Sequence, residues 1–191
     1  MNRRKFPDTA ATQSHETRLR LGSLGKHLDT LFKIIHSSNF NTSIQAMMLI
    51  QQLTAARNLA GDRLYRVLYE SLLDPRLCTS SKQAMYLNLI LRTLRSDVNV
   101  KRVKAFVKRL LQILTLHQPP FICGALYVIS ELQSLFPGIF TLIEEPEEQR
   151  EQTDEGPIGN PSARYDGRKR DPEYSNADHS CLWDLVSSNH I

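Results

Sequence analysis

A chain of 191 residues with 41% apolar and 23% charged side chains has a globular composition, enough for one domain with a core plus tails. Its net charge of +4 is unevenly spread: residues 24–143 carry fourteen basic and six acidic side chains, whereas 144–155 carry one basic and seven acidic, so the globular part favours a polyanionic partner. Cys78, Cys123 and Cys181 have no metal-ligand spacing and suggest no disulfide framework, no apolar run approaches the ~20 residues of a membrane span, and the N-terminus lacks a secretory signal, which together predict a soluble cytosolic or nuclear protein with reduced thiols.

Residues 1–23 are polar and aperiodic, and are expected to form a mobile tail. A first helix is predicted where Leu24, Leu28, Leu31, Ile34 and Ile35 share one face. The stretch NFNTSIQAMMLIQQLTAARN opens on Asn and Thr caps and is apolar around much of its circumference, which predicts a buried second helix. GDRLYRVLYESLLDP gives a third, opened by the carboxylate of Asp62 and closed before Pro75. A fourth, SSKQAMYLNLILRTLRS, is capped by Ser80 or Ser81, and a fifth, DVNVKRVKAFVKRLLQILTL, by Asp97 or Asn99. QPPFICGALYVISELQSLFPG has proline in its first turn and stops at Pro137-Gly138. Gly124 inside it costs ~1 kcal/mol against alanine, so a close helix-helix approach is expected there.

No stretch alternates as a β-strand does. The fold class predicted is therefore all-α, with a helical domain over 24–143. Pairing the helices in order gives units starting near Gly25, Asp62 and Asn99, a step of about 37 residues, close to a HEAT/armadillo-like α-solenoid. A compact bundle obeys the same packing rules and stays open as the alternative. Residues 144–163 are acidic, rich in Pro and Gly and nearly free of aliphatics, which predicts a disordered linker. Residues 164–191 regain Tyr165, Tyr174, Leu182, Trp183 and Leu185, and are expected to be an extended segment that docks on something.

The fifth helix carries the candidate site. Wound at ~100° per residue, Lys101, Arg102, Lys104, Lys108 and Arg109 fall within an arc of about 160°, and the apolar residues fill the opposite arc. No acidic residue from Lys101 to Leu116 offers i,i+4 pairing, and Arg92 and Arg95 lie across a short turn. Unpaired cations at this density suit phosphate contacts, with a solvated face as the plain alternative. A membrane-surface or calmodulin role would need the apolar face free, whereas helices flank it on both sides. A second basic cluster, Arg168-Lys169-Arg170, is a solvated loop or, taken with Arg3-Arg4-Lys5, a nuclear-import fragment, each triplet alone being a weak import signal. The six histidines are scattered, and neither a phosphate-binding glycine loop nor a Gly-x-Ser-x-Gly turn occurs, so catalysis has no support.

LYESLLDPRLCTSSKQAMYLNLILRTLRSDVNVKRVKAFVKRLLQ, HQPPFICGALYVISELQSLFPG and the downstream YDGRKRDPEYSNADHSCLWDL resemble the CCAAT-binding factor family of nucleolar complex proteins. The resemblance implies a non-catalytic α-solenoid factor of the nucleus and nucleolus. Such a factor acts in ribosome biogenesis on pre-60S particles, and contacts pre-ribosomal RNA and other nucleolar complex proteins. It supplies no catalytic residues, and with no metal-ligand spacing and no membrane-length apolar run in the sequence, no cofactor, metal, small-molecule substrate or membrane is expected. The positions that match the family are the basic helix Lys101–Arg109 and the segments Asp166–Pro172 and Ser180–Leu185. Together with the charge pattern they give an expected RNA-binding face of Arg92, Arg95, Lys101, Arg102, Lys104, Lys108 and Arg109, and an expected partner or intrachain docking set of Arg168, Lys169, Arg170, Tyr174, Leu182, Trp183 and Leu185. Members of the family extend on both sides of these blocks, so a fragment or shortened form is expected. A DNA-binding transcription regulator is one alternative, although no helix-turn-helix, zinc-finger or basic-zipper signature is present. A scaffold for proteins only is the other.

Overall fold

The computed structural model describes residues 25–57, 61–139 and 165–179. Every regular element among them is helical: α1 (25–35), α2 (Phe40–Arg57), α3 (Gly61–Ser71), α4 (Gln83–Arg95), α5 (Val100–Leu114) and α6 (Pro119–Leu135), with short 3-10 turns at Pro75–Leu77, Pro137–Ile139, Pro172–Tyr174 and Ala177–His179. The expected tail 1–23, the linker 144–163 and the anchors Leu182, Trp183 and Leu185 lie outside the described residues.

Local chemistry fixes the helix starts, not always as expected. Asn39 Oδ1 accepts from the backbone N–H groups of Asn41 and Thr42 and so opens α2. For α5 the cap is Asn99, whose side chain accepts from Lys101 N and Arg102 N. Asp97, the other candidate, instead accepts from Asn99 N at 2.9 Å. Neither Ser80 nor Ser81 caps α4: the cap position is Lys82, which makes no side-chain cap. Ser80 donates to Asn41 Oδ1 at 2.7 Å and accepts from Lys82 N at 3.1 Å, one residue short of the helix, and Ser81 accepts from Asn41 Nδ2 at 3.2 Å, so both serines reach to α2. In α1 the inward face is Leu28, Phe32 and Ile35; Ile34, expected inside, is exposed. The second helix, expected to be buried, keeps one face in solvent: Thr42, Gln45, Leu49, Gln52 and Ala55 are exposed.

The helices form two layers. Arg63 of α3 reaches back to α1, bonding Asp29 at 2.8 Å and lying 3.9 Å from the Phe32 ring centroid. Tyr65 and Tyr69 of α3 meet Phe106 of α5 edge-on. Thus α1, α3 and α5 touch in succession. On the other side α2 packs on α4 and α4 on α6. Phe40 of α2 lies against Tyr86 of α4, whose hydroxyl is 2.7 Å from Ser71 Oγ. The apolar residues between the layers form one continuous core. Arg76 ties the Pro75–Leu77 turn to the α1–α2 link by donating to the carbonyls of Ser37 and Ser38, each at 3.0 Å. The Arg76 side chain also holds the Asp74 carboxyl below its ordinary range. That contribution is present above the ordinary carboxylate pKa and fades as pH falls through the folded value.

Gly124 marks the closest approach of α4 and α6: a Cβ there would come within 2.7 Å of Leu87 Cδ1. We expect Gly124→Val to cost about 1–3 kcal/mol through overpacking. Gly124→Ala should be near neutral, because a helix-propensity gain of ~1 kcal/mol offsets the displacement of Leu87. Urea unfolding of both variants checks the pair, and a valine as stable as the parent would show that the contact has room to spare.

Candidate nucleic-acid interface

Residues 165–179 lie along α5 as a strap running in the opposite direction. Tyr165 donates to Gln112 near the end of α5, Gly167 and Lys169 offer their carbonyls to Arg109, and Asp178 reaches Lys101 in the first turn. The strap begins with a turn in which Asp166 accepts Arg168 N on its side chain and Lys169 N on its carbonyl. Asp171 accepts Glu173 N and so opens the turn at Pro172. Asn176, at φ 54°, supplies the left-handed step between the last two turns, a conformation asparagine tolerates well. Pro172, Ser175 and Ala177 are buried under this arrangement.

The strap and its neighbours use most of the charge read as an open phosphate surface. Arg109 is only 2% exposed. Its guanidinium lies 3.3 Å from the Tyr69 ring centroid and donates to Tyr69 O at 2.9 Å and Gly167 O at 2.6 Å. Lys108 is 6% exposed, with Nζ 5.6 Å from the centroid of Tyr165. The Arg102 side chain is 12% exposed, 3.2 Å from Asp97 Oδ2 and 3.1 Å from Asp62 Oδ1, and over the ring of Tyr65 at 4.2 Å. Burial pushes the Asp97 carboxyl up in spite of Asn99 N–H and Arg102, and burial with the Asp97 charge pushes Tyr65 up to about 12. Lys101 pairs with Asp178 at 3.1 Å but keeps 62% of its side chain exposed.

The expectation of five cations on one free arc is therefore corrected at Arg102, Lys108 and Arg109. The arc is real, but carbonyls, aromatic rings and acids remote in sequence fill it. Lys104 is half-buried, and Arg92 and Arg95 on the last turn of α4 are exposed; among the described residues none of the three makes an ion pair. In the second cluster Arg170 bonds Glu70 at 3.0 Å, Arg168 and Lys169 face solvent, and Tyr174 is exposed. Residues that the sequence reading did not single out complete the docking: Arg66 bonds Asp171 at 2.7 Å, and Asp178 and Glu70 each take a cation. Among the described residues no three His, Cys, Asp or Glu gather as a metal site, and no described helix is long and apolar enough to cross a membrane.

Residues 43–191, from α2 through the strap to the last residue, match the CBF/Mak21 family. The chain belongs to the CBF/Mak21 family. The family match spans both the helical block and the strap, the two parts that pack together here. It bears out the resemblance read from these same blocks. The chain is 60% identical to ribosome biogenesis protein NOC1 of Chaetomium thermophilum over 86% of its own length and 18% of that protein's. It is 49% identical to human CCAAT/enhancer-binding protein zeta, over 66% of this chain and 12% of the relative. It is 40% identical to nucleolar complex protein 1 of Drosophila melanogaster, over 54% and 9%. The chain thus spans less than a quarter of the length of these CBF/Mak21 relatives.

Proposed function

We propose that the chain is a non-catalytic ribosome-biogenesis factor of the nucleolus, a helical scaffold for pre-ribosomal RNA and other nucleolar complex proteins during large-subunit assembly. The names of its CBF/Mak21 relatives support the biogenesis role and the compartment. The layering of alternate helices supports a solenoid scaffold. For RNA, the supporting observation is the set of cations that the fold leaves uncommitted where α4 ends and α5 begins: Arg92, Arg95 and Lys104, with the outward part of Lys101 beside them. Phosphate contacts of this kind position a duplex or strand without reading its sequence.

Salt dependence tests the reading. Each phosphate neutralised contributes about −0.7 to −0.9 to the slope of log K against log salt, so Arg92, Arg95 and Lys104 together contribute roughly −2 to −3. Changing all three to glutamine keeps helix propensity and should flatten the slope by that amount with the helical signal unchanged. A second reading, a scaffold for proteins only, is favoured by the pairing of Arg102 with Asp62 and Asp97 and the burial of Arg109 against carbonyls. It takes over if the folded parent binds no RNA; a folded triple variant with the parent's affinity and slope would instead remove Arg92, Arg95 and Lys104 from the RNA site.

A further inference from the structure

Away from the strap, the fold brings one nucleophile and one base together. Cys78 closes the Pro75–Leu77 turn ahead of α4, and His117 lies in the link between α5 and α6. Cys78 Sγ is 3.6 Å from His117 Nε2 and 3.6 Å from the carbonyl oxygen of Leu116. On the other side of the ring, His117 Nδ1 is 2.8 Å from the carbonyl oxygen of Ile113. A carbonyl only accepts, so Nδ1 carries a proton and Nε2 is the ring atom that faces the thiol, whose own proton lies between Leu116 O and Nε2.

Both partners are held in place. The imidazole stacks on the buried Phe121, with centroids 4.1 Å apart and planes at 22°. The Cys78 backbone is pinned at both ends: its N–H donates to Pro75 O at 3.3 Å and its carbonyl accepts from Gln83 Nε2 at 3.1 Å. A nucleophile beside a base, with the base oriented by a third group, is the arrangement that activates thiols. Cys78 is exposed, so a reagent can reach it. Cys123 on α6 is exposed as well but its thiol makes no side-chain hydrogen bond among the described residues, which provides a comparison within the same chain.

We propose that Cys78 is a modification site, a thiol assisted by His117 in attacking soft electrophiles, small-molecule disulfides above all. As the Cys78 Sγ–S bond forms, the S–S bond of the disulfide breaks and the thiol proton passes to Nε2. The departing thiolate then takes a proton from the imidazolium. One thiol is oxidised to a mixed disulfide, one half of the reagent is reduced to thiol, and no other oxidant enters. The adduct would sit where the turn before α4 meets the α5–α6 link. This inference is independent of RNA binding.

The test uses the full chain under native conditions with limiting iodoacetamide, and peptide mass spectrometry to follow each cysteine. Here the Sγ–C bond forms, iodide leaves and Nε2 takes the proton. Cys78 is expected to react on the order of ten-fold faster than Cys123. His117→Phe keeps the stack on Phe121 and removes the base, and should bring the two rates close together without changing that of Cys123. Denaturant should abolish the difference in the parent. Oxidised glutathione as a second probe should form its mixed disulfide at Cys78 first. Equal native rates, or a ratio unchanged in His117→Phe, would overturn the proposal. If circular dichroism shows that His117→Phe has lost its helices, His117→Gln decides by the same ratio.

Discussion

Arg109→Ala is expected to destabilise the protein by about 3 kcal/mol or more and to release residues 165–179 from α5. The magnitude follows from what the guanidinium holds. It donates to Tyr69 O and Gly167 O and covers the Tyr69 ring from 3.3 Å. Charge-assisted hydrogen bonds contribute about 1.5–3 kcal/mol each, and a carbonyl left buried without a donor adds a desolvation cost. The flanking ion pairs, Arg66 with Asp171 and Arg170 with Glu70, are largely exposed and hold the strap only weakly by themselves. Arg109→Lys should recover little, because an ammonium cannot span two carbonyls and a ring as the planar fork does. Denaturant unfolding gives the loss, and amide exchange locates it. Intact protection of 165–179 in a stable Arg109→Ala protein would show that the clamp is dispensable. A cation facing only solvent would have predicted a change of a few tenths of a kcal/mol, so the experiment also separates the two views of α5.

Phe106→Ala should be as damaging, costing about 3–5 kcal/mol for the cavity, with about 0.5–1.5 kcal/mol more for the lost ring contacts. Phe106 is buried and lies 5.1 Å from Tyr69 at 61° and 6.5 Å from Tyr65 at 69°, so one ring joins α5 to two turns of α3. Against a typical total of ~5–15 kcal/mol, that removes a large part of the stability. The urea midpoint should fall sharply while the slope stays that of the parent. Phe106→Leu, which keeps most of the volume, should be much milder. Similar midpoints for the two variants would place the main contact between α3 and α5 elsewhere.

The helices were legible because their signals are local. A period near 3.6 needs only neighbours, and Pro75 and Pro119 act within a turn of themselves. Caps were legible only where the side chain has nothing better to do: Asn99 stays local, while Ser80 and Ser81 turn to Asn41 on another helix. In α1 the spacing of aliphatics pointed to Ile34, but the larger ring of Phe32 takes the inward position and Arg63 covers its face. The charge of α5 was misread for the same reason. Pairing was sought at i,i+4, whereas Arg102 finds Asp62 forty positions away and Arg109 finds a carbonyl fifty-eight positions on. The clue was present in YDGRKRDPEYSNADH, where Asp171, Glu173 and Asp178 follow the basic triplet and offer carboxylates to a basic helix. For Cys78 and His117 the sequence carried no signal at all, since thirty-nine residues separate them.

The strap also sets an order in time. Ribosomes add about 5–20 residues per second, and α5 ends at Leu114 while its cover is complete only at His179. A newborn chain therefore displays Lys101, Lys108 and Arg109 uncovered for on the order of ten seconds, long enough for a nearby polyanion to arrive before the chain's own segment does. Local contacts among α1 to α6 can form as each helix emerges, but closure of the strap has to wait for synthesis. In this protein residues 165–179, made well after α5, determine whether the basic helix ends as a surface or as part of the interior.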